Sequence, residues 1–349
     1  MKKRVALIYG GEGYERGISE LSAENLFEFI DKDKYAVLRI KIEEDGAWYT
    51  LPPYSEEYPE LSGMGRTAAF PVKMGKDSGF LTEGGLIISV STAIVCLHGN
   101  LGEDGVIQGA LSAAHISYIG EDVYASAATS DKVYSKLMAE SLGIPTARWM
   151  LADREQKDKS RTLAEEKLGY PMFIKPARAG SSYGAHPVYE KSEFNEAFDD
   201  ALRYDSRVLI EELVPVCYEL ECALFDDGQS RRISPAGRVL SDGKFYDFEA
   251  KYRGISSPKA EAAAGKNPET EEKIIGYTTE LADLIGIRDL GRFDFFVTAD
   301  DKIYFNEINA IPGMTKTSLY PALTETMGIG RGEFINLLIE KKCRNDRRI

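Results

Sequence analysis

Two carboxylates and an amide lie close together near the C-terminal end of the chain, at Asp294, Glu307 and Asn309. The flanking runs FDFFV and KIYFNEI are rich in aromatic and β-branched residues and are joined by the polar turn TADD, which predicts a β-hairpin. Glu307 and Asn309 are two apart and share one face of their strand, where Asp294 can join them from the neighbouring strand. Such hard oxygen ligands hold Mg²⁺ against a nucleotide. The residues predict a magnesium-phosphate site; the alternative is an acidic hairpin whose charges face water.

A glycine- and serine-rich loop follows a predicted strand in the middle of the chain. Lys175 ends the strand MFIKPA, and in RAGSSYG the residues Gly180, Ser181 and Ser182 can turn backbone N–H groups toward phosphate oxygens. Lys132 in SDKVYSK is a second candidate for phosphate. The ordinary alternatives are a hairpin turn and a solvent-facing helix lysine.

In the run RVLIEEL, two acidic residues follow a predicted strand. Glu211 and Glu212, with adjacent backbone groups, could meet an adenine edge, and Glu219 a ribose hydroxyl. A solvated acidic turn is the alternative.

Two further candidates belong to the N-terminal part. Glu15 stands at the start of the first predicted helix, where a carboxylate is favoured by the helix dipole in any case, so its functional interpretation needs a cationic partner such as a substrate ammonium. His98 in LHGNLGEDGVIQG ends a strand, where open α/β sheets bind their ligands. Most lone histidines are hydrogen-bonded structural groups, and that alternative stays open.

Residues around the hairpin could stabilise developing negative charge. Arg292 lies two before Asp294 and points to the same face, and Gly313 can offer a bare backbone N–H to the same oxygen. Ser318 and Leu319, if they begin a helix, would offer hydroxyl and N–H groups to a carboxylate.

Composition limits the class of protein. The chain has 349 residues with 43% hydrophobic content, enough for several cores, so we expect a multidomain globular protein. Its net charge of −13 makes nucleic acid an unexpected partner, and an anionic substrate would need a few placed cations in a closed pocket. The apolar start is too short for a signal peptide and no run reaches membrane-spanning length, so we expect a cytoplasmic protein with no membrane partner. Four cysteines without metal spacing are expected to be reduced and receive no role.

The order of elements predicts an α/β fold. Strand 4–9, a glycine turn and a helix through LSAENLFEFI open it; YAVLRIKI and ISVSTAIVCLHG continue a mainly parallel sheet, and 50–85 is an irregular excursion with a small hairpin. A single helical stretch is expected over 122–143, with Gly143 at its C-terminal cap. We place domains at 1–120, 121–213 and 214–349, with FEAKYRGISSPKAEAAAGK, residues 248–266, as a candidate lid.

Six motifs together resemble the D-alanine:D-alanine ligase family of ATP-grasp enzymes over nearly the whole chain. They are GGEGYERGIS, HGNLGEDGVIQG, FIKPARAGSSYG, FYDFEAKY, GRFDFF and NEINAIPGMTKTSLYP, in the family's order and spacing. The resemblance implies an ATP-grasp fold of three α/β domains, the N-terminal one Rossmann-like, with ATP between the central and C-terminal domains. It also implies a homodimer.

The resemblance implies a role for each matching residue. Glu15 would bind the ammonium of the first D-alanine, joined by Ser181 and Tyr252 in closing a lid, and His98 would line the substrate pocket. Arg292 and the Gly313 N–H would stabilise an oxyanion, and Ser318 and Leu319 would receive the second carboxylate. Two Mg²⁺ ions, replaceable by Mn²⁺, would sit on Asp294, Glu307 and Asn309. The implied ATP contacts are Lys132, Lys175, Ser182, Glu211, Glu212, Leu213, Val214, Glu219, Lys251 (at the γ-phosphate) and Phe296.

The implied reaction is ATP-dependent ligation of two D-alanines through an acyl phosphate, the dipeptide being a peptidoglycan precursor. D-serine as acceptor is the second hypothesis, because one pocket side chain decides it by only about 1 to 3 kcal/mol. A non-catalytic ATP-binding protein is a third, and a ligase for unrelated amino acids a fourth. The chain departs from the family pattern in EELVPVCYE, one residue longer, and in AEAAAG, where the family has a Tyr and Pro-Ala segment.

Overall fold

Three β-sheets carry the site. The structure, a computed structural model, describes residues 2–239, 261–262 and 267–345. In these residues the sheets have eight, four and six strands and follow one another along the chain. Each sheet lies inside one of the three ranges proposed as domains, and the boundaries themselves stay predictions.

The N-terminal sheet is mixed. Its parallel part is formed by apolar runs buried on both faces, as parallel strands require. The excursion after the second strand builds an antiparallel extension, larger than the small hairpin expected from the sequence. The spatial order is β6-β5-β4-β3-β2-β1-β7-β8. The strands are β1 (Lys3–Gly10), β2 (Tyr35–Ile42), β3 (Trp48–Thr50), β4 (Thr67–Met74), β5 (Asp77–Thr82), β6 (Ile87–Ile88), β7 (Thr92–Val95) and β8 (Tyr118–Ile119); the helices are α1 (Arg16–Phe29) and α2 (Val106–Ala113), with a 3₁₀ turn at Pro59–Leu61.

The helical stretch after this sheet is broken where one helix was expected. Asp131 is extended, and its side chain accepts the backbone N–H of Val133, so it ends one helix and caps the next. Gly143 follows the second helix in a left-handed conformation, as predicted. The break places Lys132 at a helix start, with its backbone N–H bound to the carbonyl of Ala177. The two helices are α3 (Val123–Ser130) and α4 (Lys132–Ser141).

The central sheet is antiparallel, in the order β11-β10-β12-β9. It carries the predicted strand, glycine loop, strand, helix and strand between residues 172 and 213. Two helices cover one face and bury a compact apolar cluster that includes Phe194 and Phe198. The elements are β9 (Trp149–Asp153), a 3₁₀ turn (Arg154–Gln156), α5 (Lys157–Lys167), β10 (Met172–Pro176), β11 (His186–Val188), α6 (Phe194–Ala201) and β12 (Arg207–Glu212).

The C-terminal sheet contains the predicted hairpin, which is confirmed. Its order is β16-β15-β13-β17-β18, with β14 paired to β13. The register of β13 shifts between Val216 and Tyr218, within the segment EELVPVCYE. The elements are β13 (Val216–Asp226), β14 (Arg231–Ile233), β15 (Gly237–Val239), β16 (Glu261–Ala262), α7 (Pro268–Ile285), β17 (Leu290–Thr298), β18 (Ile303–Asn309), α8 (Leu319–Thr326) and α9 (Glu333–Asn345).

One hydrophobic core joins the first and last parts of the chain. Leu7 and Leu26 of the N-terminal layer share it with Tyr320, Phe334 and other residues of the two C-terminal helices. The opposite face of the N-terminal sheet has its own core. The strand ends of the first sheet are therefore fixed relative to the C-terminal hairpin. No helix in the described ranges is both long and apolar enough to cross a membrane.

A buried carboxylate pair strengthens this junction. Glu121 accepts the backbone N–H groups of Arg288, Asp289 and Leu290, and Asp289 accepts that of Gly120. Lys341 lies 3.0 Å from the other side of Asp289. Burial and repulsion from Asp289 raise the pKa of Glu121 to about 7, against the effect of the three N–H donors.

We predict that this pair makes stability fall with rising pH. A folded pKa of about 7, above the 4.5 of an ordinary Glu, means that the folded state binds the proton more tightly. The resulting stabilisation is complete below about pH 4.5 and is lost as the pH rises through about 7. The unfolding free energy of wild type minus that of Glu121→Gln should fall by up to about 3 kcal/mol between pH 5 and pH 8, measured by urea titration. Equal pH dependence in the two proteins would contradict the assignment.

Candidate active site

The C-terminal hairpin presents Asp294 between a guanidinium and an amide. Arg292 donates to both carboxylate oxygens, Nε to Oδ1 at 2.8 Å and Nη2 to Oδ2 at 2.7 Å. Asn309 Nδ2 donates to Oδ2 at 3.1 Å. Asp294 is paired with Glu307, and Arg292 with Asn309, across the two strands. The four side chains predicted to share one face of the hairpin therefore do so.

A second carboxylate, missed in the sequence, holds Arg292 from the neighbouring strand. Glu221 lies 3.0 Å from Arg292 Nε and is paired with Asp294 in the sheet. Burial alone would lower the pKa of Arg292, but Asp294 and Glu221 together raise it well above its ordinary value. Strand alternation in the sequence YELEC puts Glu219 and Glu221 on one face, and this pattern could have identified Glu221.

The Glu307 carboxylate contacts Lys132 at the start of helix α4. Its Oε2 lies 3.4 Å from Lys132 Nζ, which also donates to the carbonyl of Ala179 at 2.6 Å. Within the described ranges no group of three or more His, Cys, Asp or Glu is placed to hold a metal. The donor set of Asp294, Glu307 and Asn309 does fit Mg²⁺ chemically, since it offers hard oxygens at paired strand positions and leaves room for phosphate oxygens.

The predicted phosphate lysine is part of a buried triad. Glu211 Oε2 lies 3.0 Å from Lys175 and Oε1 lies 2.8 Å from Lys136, whose side chain is 1% exposed. Lys175 also donates to Asn306 Oδ1 at 3.3 Å, at the residue where the β17–β18 register shifts. The sequence interpretation missed Lys136, although its spacing of four from Lys132 puts both on one helix face.

Charge within the triad favours an incoming anion. Burial lowers the pKa of Lys175, and Lys136 and Lys132 lower it further, against the attraction of Glu211. Burial alone would raise the pKa of Glu211, but the two lysines hold it below its ordinary value. Two cations thus share one carboxylate, which leaves net positive charge beside the glycine loop.

The segment predicted to meet the adenine edge, residues 211–214, makes hydrogen bonds with other parts of the chain. Glu212 Oε2 accepts from Arg148 Nε at 2.7 Å, and the N–H of Leu213 donates to the carbonyl of Pro171 at 3.1 Å. Val214 is buried. The Glu211 carboxylate already contacts Lys136 and Lys175. The predicted contact of this carboxylate with adenine would therefore compete with these two lysines.

Glu219 and Phe296 lie opposite each other on β13 and β17. Both side chains are partly buried. Their roles at the ribose and the adenine stay predictions.

Glu15 bridges the first sheet and the glycine loop. It precedes α1, and Ser181 Oγ donates a hydrogen bond to its Oε1. A Cβ added to Gly99 would lie 2.4 Å from Glu15 Oε2, and one added to Gly180 would lie 2.9 Å from Oε1, so bare backbone covers the carboxylate on both sides. Burial and repulsion from Glu103 raise the pKa of Glu15, against the hydrogen bond from Ser181.

Three tyrosine rings close this contact from outside. Tyr14 lies 5.4 Å from Tyr183 and 5.2 Å from Tyr204, and the last two are 5.6 Å apart. Tyr14 precedes Glu15, and Tyr183 follows the serines of the loop. Such ring pairs contribute about 0.5 to 1.5 kcal/mol each, which favours the closed position of the loop. Ser181 and Ser182 both adopt left-handed backbone conformations within it.

The His98 side chain is buried and lies next to Ser22 and Glu103. Its Nε2 lies 3.2 Å from Ser22 Oγ, and its Nδ1 lies 3.9 Å from Glu103. It is thus fixed by polar partners at the strand end, as the structural alternative requires, and it also contributes to the electrostatic field at Glu15.

The segment after the hairpin forms a tight loop before α8. Ser318 is at the N-cap position of the helix that begins at Leu319, which meets the condition set in the sequence analysis, and its Oγ accepts the N–H of Thr315 at 3.0 Å. A Cβ on Gly313 would lie 2.9 Å from Ser318 Oγ, so a larger residue there would displace the Ser318 hydroxyl.

A cavity of about 360 Å³ lies among these elements. Its lining includes Lys132, Glu307, Asn309 and the two glycines, Gly99 and Gly180, that cover Glu15. The cavity therefore lies next to the C-terminal hairpin and next to the backbone that covers the Glu15 carboxylate. Two predicted site residues, Lys251 and Tyr252, and most of the candidate lid lie outside the described residues. The remaining lining residues are Asn100, Glu103, Asp104, Thr129, Ser130, Arg178, Ala179, Tyr204, Asp205 and Ile308.

Three sheets follow one another along the chain, and Lys132 of α4 and Lys175 of the central sheet contact Glu307 and Asn306 of the C-terminal hairpin. This is the arrangement of an ATP-grasp protein. Residues 4–121 match the family model described as D-ala D-ala ligase N-terminus, and residues 138–340 the model described as D-ala D-ala ligase C-terminus. The chain therefore belongs to the D-alanine–D-alanine ligase family.

Individual relatives cover the whole chain. D-alanine--D-alanine ligase A of Mesorhizobium japonicum is 36% identical over 97% of this chain and 97% of its own length. D-alanine--D-alanine ligase of Acetivibrio thermocellus is 35% identical over 97% and 95%. Among solved structures, the VanG D-Ala:D-Ser ligase of Enterococcus faecalis has a TM-score of 0.85 at 29% identity, covering 98% of this chain and 100% of that one.

We predict that Lys136 is needed for nucleotide binding. Lys136→Met leaves Glu211 and Lys175 as a neutral pair, so the net positive charge beside the glycine loop is lost and the protein should bind ATP more weakly by calorimetry. Lys136→Arg keeps the charge and should retain more of the affinity. Lys157→Met, which breaks an exposed 2.7 Å pair with Asp199, should change stability by about 0.5 kcal/mol or less and leave ATP binding unchanged. Unaltered ATP affinity in Lys136→Met would refute the shared-charge argument.

Proposed function

We propose that the protein joins two D-alanines with hydrolysis of ATP to ADP and phosphate. The observation that supports this proposal most is that one cavity is lined by Lys132, Glu307 and Asn309 and also by Gly99 and Gly180, the two glycines whose backbone covers the Glu15 carboxylate. An amino acid bound through its ammonium at Glu15 would direct its carboxylate toward the phosphate side. The names of the full-length relatives support the same substrates.

The first step is phosphoryl transfer to a carboxylate. A carboxylate is a poor acyl donor, so an oxygen of the first D-alanine attacks the γ-phosphorus of ATP, the bond to the bridging β–γ oxygen breaks, and ADP leaves. Lys132 and Lys175 would hold the phosphates, helped by backbone N–H groups of Ser181 and Ser182. Asp294, Glu307 and Asn309 would hold two Mg²⁺ ions, or Mn²⁺ in their place, and the bound metal would offset phosphate charge.

The second step forms the peptide bond. The amine of the second D-alanine attacks the acyl carbonyl carbon, the carbon–oxygen bond to phosphate breaks, and a proton leaves the nitrogen. Arg292, held between Asp294 and Glu221, and the N–H of Gly313 would face the tetrahedral oxyanion. Ser318 and the first N–H groups of α8 would receive the acceptor carboxylate.

Further parts of the proposal rest on the sequence motifs. Residues 1–120, 121–213 and 214–349 would act as the substrate-binding, central and C-terminal domains. Glu211, Glu212, Leu213, Val214, Glu219 and Phe296 would surround adenosine, Lys251 would reach the γ-phosphate and Tyr252 would close the lid. A homodimer is proposed, and a cytoplasmic location, where ATP and the peptidoglycan precursors are made.

Phosphate release tests the activity. With ATP and Mg²⁺, D-alanine alone should give phosphate and D-alanyl-D-alanine, identified by mass. The structural likeness to VanG makes D-serine the second candidate acceptor, and a mixture of both amino acids would show it as a dominant mixed dipeptide. Bound ATP without phosphate release under any pairing would overturn the ligase proposal.

We predict that the Michaelis constant for D-alanine rises as the pH falls. Only ionised Glu15 attracts an ammonium, and its raised pKa brings protonation closer to neutral pH. Rates at saturating ATP, measured over a series of decreasing pH, should show the Michaelis constant rising by up to about tenfold per pH unit below that pKa. Glu103→Gln removes the repulsion and should move the profile to lower pH. Glu15→Gln should give a high constant with no such slope, and an unmoved profile in Glu103→Gln would contradict the assignment.

A further inference from the structure

Helix α1 carries a buried polar stripe that the proposed chemistry does not use. Ser19, Ser22 and Asn25 are spaced by three and lie on one face, where an amphipathic helix would place apolar residues. Ser22 is fully buried and Asn25 is 3% exposed. Buried polar side chains are costly unless they bind a partner, so the partners of this stripe identify its purpose.

The partner of Ser22 and Asn25 is the backbone of a single residue in the distant loop. The N–H of Met314 donates to Ser22 Oγ at 3.3 Å, and the carbonyl of Met314 accepts from Asn25 Nδ2 at 2.6 Å. The Met314 side chain is buried in the core shared by the first and last parts of the chain. Both polar groups of one peptide position are therefore held from the opposite layer.

We propose that Ser22 and Asn25 are positioning residues for the acceptor amino acid. Met314 directly follows Gly313 and lies four residues before Ser318. The hydrogen bonds from Ser22 and Asn25 to the Met314 backbone therefore fix the segment that is proposed to bind the oxyanion and the acceptor carboxylate. That segment, 310–318, contains no helix or strand. Ser22 also contacts His98 on the donor side, and Asn25 is therefore the cleaner probe of the acceptor side. The inference rests on the proposed function of this loop.

A second asparagine makes the same kind of bridge away from the site. Asn336 in α9 donates to the carbonyl of Phe29 at 2.9 Å and accepts the N–H of Asp31 at 2.9 Å. It also joins the first and last parts of the chain. Asn336→Leu is therefore a matched control, which removes a bridging amide without touching the acceptor loop.

The test is a competition between two nucleophiles for the acyl phosphate. Hydroxylamine attacks the same carbonyl carbon, releases phosphate and leaves a hydroxamate, and it needs no carboxylate subsite. At fixed D-alanine and hydroxylamine, the ratio of dipeptide to hydroxamate should fall about tenfold in Asn25→Leu and stay unchanged in Asn336→Leu, since small displacements are costly for an oriented nucleophile. A product ratio does not depend on how much enzyme is folded.

Asn25→Asp provides a second measurement. Its carboxylate would face the Met314 carbonyl, so the ratio should fall at neutral pH and recover, relative to wild type, as acid restores a donor. An unchanged ratio in both Asn25 variants, or an equal fall in Asn336→Leu, would overturn the proposal. Failure of the wild-type enzyme to form hydroxamate would instead overturn the acyl-phosphate step.

Discussion

The site depends on holding a few cations against buried carboxylates in an acidic protein. With a net charge of −13 the surface as a whole repels nucleotides, so attraction must come from individually placed groups. Lys175 and Lys136 share Glu211, and Lys132 contacts Glu307. Buried pairs add little to net stability, since desolvation offsets their attraction. Their value lies in keeping cations fixed and dry where a phosphate can compete for them.

Arg292 shows the opposite balance on the C-terminal hairpin. It is bound by Asp294 on its own strand and by Glu221 on the next one. Two anions on one cation leave a net negative edge, which would suit the metal-binding role proposed for Asp294. The lysine triad has two cations on one anion, and the arginine cluster has two anions on one cation. The two clusters therefore carry opposite net charges.

The sequence could predict what depends on local pattern. Alternation placed Asp294, Glu307 and Asn309 on one hairpin face, and the helix start at Leu319 followed from the turn before it. The prediction missed that Asp131 breaks a continuous helical pattern: its side chain accepts the nearby N–H of Val133, a local bond that competes with helix, and its other oxygen is held by Arg207 from β12. Asn25 meets Met314 across 289 residues, and no periodicity encodes such a contact.

Glu15 links the first sheet to the glycine loop, and its surroundings stabilise the charge of its carboxylate poorly. Among the described residues it faces Glu103 and bare backbone and accepts one hydroxyl hydrogen bond, from Ser181. A partly desolvated carboxylate in such a place is poorly stabilised until a cation arrives, so an incoming ammonium gains more attraction here than at an exposed glutamate. The same binding event favours the closed glycine loop, because Ser181 is already oriented on the carboxylate and the tyrosine rings hold the loop over it. Under the proposed function, recognition of the amino acid and closure over the phosphates would therefore be one equilibrium, set by how the first sheet presents Glu15.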